Sequence, residues 1–191
     1  MRRDLKNFVF SGVLARHATR DMQARGVLRS RAVSAEERRE QDLLASVEES
    51  IRGGALAMQQ AYRILYVLEN LVRSIIVERL KDKSGDSWFD THATAPMKSK
   101  FRDRQAKELQ HQWHSGRNRE PIFYMDFGDL SKLIVNNWPE FEDLLPSQPW
   151  VQSRLEEAER SRNVIAHTNL LASEEIGRLE MYLTDWIKQA G

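Results

Sequence analysis

The chain has 191 residues, 41% of them hydrophobic and 30% charged, with a formal net charge of +1. That is one domain's worth of sequence with enough apolar content for a core, and too little net charge for a whole-molecule attraction to polyanions. The absence of cysteine excludes a disulfide scaffold, a Cys-ligated zinc site and thiol catalysis. No apolar run reaches membrane-spanning length, and charges stand near the N-terminus where a signal peptide needs an apolar core. The cytoplasm is the simplest compartment, and prolines and glycines confined to a few places leave long helical stretches: the expectation is an all-α fold.

Residues 1–34 differ from the rest. Arg2, Arg3, Lys6, Arg16, Arg20, Arg25, Arg29 and Arg31 face only Asp4 and Asp21, around a short apolar cluster that includes Phe8 and Phe10. They read as a basic N-terminal helical arm, either tracking phosphates or packing its phenylalanines on a neighbour. Residues 35–191 read as the helical domain. Ser34 followed by carboxylates marks a helix start, with a helix through about Ile51 and a break or bend at Gly53-Gly54. The strongest periodicity runs from Ala55 to Leu80. Ala61, Ile64, Leu65, Leu68, Leu71, Val72, Ile75 and Ile76 keep the rhythm of a buried helical face, which Met58, Tyr62 and Tyr66 would widen. Glu69 and Arg73 stand i, i+4 beside that stripe, either as a surface ion pair or as something closer to the core.

Lys81 to Met97 reads as a loop, with Trp88 and Phe89 tucked back onto the core. Lys98 to Trp113 reads as a polar helix ending near His111 and His114, a pair that needs a further ligand to hold a metal. No metal or cofactor is implied. Ser115 to Glu120 is a second loop, and the stretch after Pro121 begins as a short extended piece. Gly128-Asp129 prepares a helix whose apolar side is Leu130, Leu133, Ile134 and Trp138. The helix after Pro149 places Val151, Leu155, Ala158 and Ile165 on one stripe, with Arg162 in the same register. An arginine on a core stripe requires a partner, such as Glu69, or a ligand. Arg160, Asn163 and His167 share the other face, and Arg162 and His167 are about 140° apart on an ideal helix. Helix geometry therefore favours Arg160 as the cation beside His167, whereas the stripe singles out Arg162. A last helix follows Ser173-Glu174-Glu175.

The block Arg162-Asn163-Val164-Ile165-Ala166-His167 resembles the Arg-x4–6-His motif of HEPN domains. The run from Tyr66 to Ile75, the blocks Phe127-Gly128-Asp129-Leu130 and Asn137-Trp138, and the final helix are similar to the Swt1-like branch, over roughly residues 55 to 188. The resemblance implies a helical bundle that dimerises so that two Arg–His motifs meet in one cleft, and RNA as substrate. Many members are metal-independent endoribonucleases of toxin–antitoxin, phage-defence and RNA-processing systems; others have lost catalysis and serve as binding modules. By that resemblance His167 is the acid–base group and Arg162 the phosphate stabiliser, Arg160 and Asn163 orient RNA, and Glu69 and Arg73 support them. An antitoxin or defence-system protein would be a further partner. HEPN toxins silenced by a nucleotidyltransferase carry tyrosine two residues after the histidine; Asn169 stands there, which argues against that control.

Overall fold

The computed structural model describes residues 35–110 and 116–190, so the basic arm and the pair His111 and His114 lie outside the described residues. Among the described residues every regular element is helical and the architecture is all-α. The chain divides between Arg52 and Gly53 into two compact units. In the first, α1 (Ala35–Leu44) is polar all round, with Leu43 exposed. It stops at Leu44 instead of running to Ile51, because no apolar stripe holds it beyond that point.

The helix α2 (Glu49–Ser84) is continuous through Gly53-Gly54, where the sequence suggested a bend. At Gly54 a Cβ would meet Leu170 Cδ2 at 2.9 Å, the far end of an exposed and flexible side chain that can move aside. The stripe from Ala61 to Leu80 is buried as its spacing predicts. Tyr62 and Tyr66, expected to widen it, are 61% and 59% exposed instead.

The expected loop from Lys81 to Met97 is helical for most of its length. A 3₁₀ turn (Gly85–Ser87), α3 (Trp88–His92) and α4 (Ala95–Leu109) follow α2 closely. Pro96 sits in the first turn of α4, where its missing N–H costs nothing. Trp88 and Phe89 are buried as expected, and edge-to-face contacts run from Trp88 through Phe89 and Phe101 to Tyr124. Pro121–Tyr124 is a 3₁₀ turn, not an extended piece, since it has no strand to pair with among the described residues. Then come α5 (Phe127–Asn136), a 3₁₀ turn at Trp138–Glu140, α6 (Gln148–Ala166) and α7 (Ser173–Ala190). Phe127, Leu130, Leu133 and Ile134 of α5 share one core with Val151, Leu155 and Ala158 of α6 and with Leu179 and Trp186 of α7. No helix among the described residues is long and apolar enough to cross a membrane.

Three polar fasteners set the helix positions. At the start of α5, Asp126 accepts from the Asp129 N–H at 3.2 Å while Asp129 accepts from the Asp126 N–H at 3.3 Å, a reciprocal capping box. Lys100 of α4 bonds both carboxylates, and Arg104 adds a contact to Asp126 at 3.4 Å. This explains the Phe127-Gly128-Asp129-Leu130 block. His92 bridges Asn137 (Nδ1 to Oδ1, 2.7 Å) and Ser84 (Nε2 to Oγ, 2.8 Å). Because the Asn137 amide nitrogen donates to the Leu133 and His92 carbonyls, its oxygen faces His92, so Nδ1 carries the proton and Nε2 accepts from Ser84. Between α6 and α7, the Arg154 guanidinium lies over the Trp150 and Tyr182 rings and bonds Asp185 at 3.1 Å.

Burial alone would push the Asp126 carboxyl up, but the hydrogen bonds from Lys100 and from the Asp129 N–H outweigh it and bring it down to about 2. A folded-state pKa below the unfolded one stabilises above the unfolded value, and that stabilisation disappears as pH falls towards 2. The side chain is 33% exposed, so after discounting for solvent screening the group contributes about 1 kcal/mol. Denaturant melts of wild type and Asp126→Asn should therefore converge as pH drops from 5 to 2.

Candidate active-site groove

The α6 helix, fixed along its buried side by Val151, Leu155 and Ala158, delivers the Arg-x4-His motif at its C-terminal end. Arg162 continues that stripe past the point where other helices cover it. It is exposed rather than buried, and opens on a groove of about 890 Å³ between α2, α6 and residues 117–123. Its Nη1 donates to Asn163 Oδ1 at 3.2 Å. From α2 the groove receives Tyr62, Tyr66, Glu69, Asn70 and Arg73; from the other side come Arg117, Asn118 and Phe123, over a floor that includes Leu65 and Ile165.

Glu69 and Arg73 form an ion pair at 2.5 Å, with side chains 18% and 14% exposed, so they are closer to the core than a surface pair. The Arg73 guanidinium also donates to the Met125 carbonyl at 3.3 Å and lies over the Phe123 ring at 5.3 Å, while its Nε is buried with no hydrogen-bond partner among the described residues. Burial pushes the Glu69 carboxyl above its ordinary value, although the Arg73 and Arg162 guanidinium groups pull it down. Burial also lowers Arg73, against the pull of Glu69, and the cations Arg162 and Arg117 lower it further. Desolvation thus wins at both ends of the pair. The groove lining holds three arginines and one carboxylate, but Arg73 is paired with Glu69 and Arg117 with Glu108, so Arg162 is the cation most open to an anion.

Arg160 is elsewhere. It pairs with Glu156 at 2.9 Å, both side chains largely exposed, and lines a separate hollow with Glu157, Ser161, Arg178 and Tyr182. His167 is the C-cap of α6 and exposed, and its ring makes no hydrogen bond with the described residues. Its backbone is tightly held. Thr168 takes φ 56°, its N–H bonds the Ile165 carbonyl at 2.9 Å, and the Asn169 N–H reaches back to the Val164 carbonyl at 3.1 Å. This is a Schellman ending with a β-branched residue in the left-handed position that glycine usually fills. Thr168 Oγ1 and Asn169 Nδ2 both donate to the His167 carbonyl, at 2.7 and 3.1 Å. The imidazole is therefore displayed from a fixed point just beyond the groove, and it does not line the groove within one chain.

The groove thus gathers Glu69, Arg73 and Arg162, holds Asn163 beside Arg162, and leaves Arg160 outside. Sequence reasoning did not single out Tyr62, Tyr66, Asn70, Arg117, Asn118 or Phe123 as site residues. The spacing of Tyr62, Tyr66, Asn70 and Arg73 along one edge of α2 was the available signal. Among the described residues no cluster of three or more His, Asp or Glu is placed to hold a metal.

A helical domain whose helix α6 ends in Arg-x4-His defines a class, and the comparison with known families agrees. The chain belongs to the Swt1-like HEPN family, whose model matches residues 63–191 and so spans most of both flanks of the groove. That membership associates it with HEPN-type nuclease or other RNA-related function. No curated protein and no solved structure matches the chain.

Proposed function

We propose that the chain is a metal-independent endoribonuclease acting as a homodimer in the cytoplasm, in a toxin, phage-defence or RNA-processing setting. The observation that carries this reading is Arg162 at the mouth of the groove, with the backbone of His167 held at the end of the same helix. In the reaction the RNA 2′-hydroxyl loses its proton to a basic imidazole and its oxygen attacks the adjacent phosphorus. The O2′–P bond forms as the P–O5′ bond breaks, and the leaving 5′-oxygen takes a proton from an imidazolium. The products are a 2′,3′-cyclic phosphate and a 5′-hydroxyl.

Histidine exchanges protons near neutral pH, and two protomers supply one imidazole for each transfer. Arg162 keeps its charge and can hold the phosphate oxygens bidentately as negative charge builds on them. Asn163 fixes Arg162, and Glu69 with Arg73 forms the wall against which it works. Arg160, on the opposite face of α6, orients RNA outside the reacting centre.

The test is incubation of purified protein with end-labelled single-stranded RNA in EDTA, with the oligomeric mass measured in parallel. Cleavage to cyclic-phosphate ends by a dimer supports the reading. A non-catalytic RNA-binding or protein-association module is the second reading, favoured by one feature: the His167 ring has no hydrogen-bond partner among the described residues. RNA bound by a dimer but left uncut would select that module.

A further inference from the structure

Tyr62 and Tyr66 are large aromatic side chains left mostly in water on the edge of the central helix, 61% and 59% exposed. They stand one turn apart, ring centroids 6.2 Å from each other and tilted by 37°, so neither ring face is used up in stacking on the other. Both line the groove that Arg162 and Arg117 border from the opposite elements, and its floor between them is apolar through Leu65, Phe123 and Ile165. Flat apolar surfaces next to cations match a ligand with flat faces and a charged backbone. We propose that Tyr62 and Tyr66 are a stacking platform for unpaired nucleotide bases, so that the groove takes single-stranded RNA with bases on the tyrosines and a phosphate at Arg162. The proposal rests on the RNA reading of this groove and adds the strand class it selects.

Paired bases present only their edges, because their faces are stacked within the duplex, so a tyrosine platform excludes double-stranded RNA. Stacking is tolerant of sequence, since every base has a π-face. Any base preference would fall to Asn118, whose Oδ1 is taken by the Glu120 N–H at 3.1 Å, leaving its amide nitrogen to donate. The tyrosines and Arg162 contribute in separable ways. Stacking is insensitive to salt, whereas each phosphate contact releases counterions.

The experiment measures fluorescence anisotropy of a labelled 2′-O-methyl oligoribonucleotide, which lacks the nucleophile and so cannot be cut, against the full chain over a range of salt. Tyr62→Ala and Tyr66→Ala should each weaken binding roughly tenfold, with the salt slope unchanged. Tyr66→Phe should bind within about twofold of wild type, because the ring face remains. Arg162→Ala should instead reduce the magnitude of the salt slope by about 0.7. The matching duplex should bind more weakly than the single strand. Unchanged affinity in both tyrosine variants, or equal binding of duplex and single strand, overturns the platform. So does loss of dimer mass in Tyr66→Ala, which would make this face a protein interface. Since the probe is uncleavable, tyrosine-dependent binding without any nuclease activity on ordinary RNA would sink the endoribonuclease and leave the platform standing.

Discussion

His167→Ala should lower single-turnover cleavage of RNA by about 10²–10⁴-fold, the usual contribution of a positioned acid–base group. Arg162→Ala should follow at about 10²–10³-fold, the loss of one charge-stabilising contact to the transition state. Arg160→Ala should stay within a few-fold of wild type. The contrast between the two arginines is the informative part. Both lie within two turns of His167, and ideal helix geometry puts Arg160 on its face. Arg160, however, is engaged by Glu156 on the open side of α6, whereas Arg162 borders the groove opposite Glu69 and Arg73. A homodimer resolves the geometric difficulty if the His167 that works with a given Arg162 comes from the partner protomer. Because each reaction uses an imidazole from both protomers, mixing His167→Ala chains with wild type should lower activity by more than dilution, since mixed dimers hold only one imidazole. Greater loss in Arg160→Ala than in Arg162→Ala would move the cation to the opposite face of α6 and leave the groove without its catalytic role.

The α2 stripe and the C-terminal placement of the Arg-x4-His block were legible because each rests on spacing within one helix. What spacing does not encode is where a stripe ceases to be covered. Tyr62 and Tyr66 flank the buried run of α2, and Arg162 continues the buried run of α6, so all three read as core positions or charges needing burial. They are exposed because both stripes run out from the shared core into the groove, and only the neighbouring elements decide that. The Gly53-Gly54 pair misled for a related reason. Glycine's usual role as a helix breaker is local and costs about 1 kcal/mol per residue against alanine, which the buried stripe that follows in α2 outweighs. Likewise Lys81 to Met97 lacks a long periodic run, yet its short helices are held by His92 and by the aromatic contacts from Trp88 onward. Those contacts become visible only once α4 and α5 are in place.

Glu69→Ala should destabilise the fold by about 2 kcal/mol, less than the roughly 3–5 kcal/mol for breaking a fully buried pair, since water reaches both side chains. It would leave the Arg73 guanidinium with Asn70 and the Met125 carbonyl as partners and its Nε still unpaired among the described residues. Replacing both members by apolar residues, Glu69→Met with Arg73→Leu, should return stability to within about 1 kcal/mol of wild type. The same double variant should cleave RNA poorly, because the groove loses a cation and the wall against which Arg162 is set. Recovery of stability without recovery of activity would mark the pair as functional rather than structural. Its pH dependence has a definite sign. Burial raises the folded-state pKa of Glu69 above the unfolded value, so between the two the native state holds the extra proton and this group's contribution falls as pH rises. Glu69→Gln lacks that titration. Its stability deficit against wild type, measured by denaturant melts, should therefore narrow from pH 4 to pH 7. A deficit that widens over the same range would mean that Arg73 and Arg162 hold Glu69 ionised more strongly than burial opposes it, and the pair would then be a stabilising salt bridge.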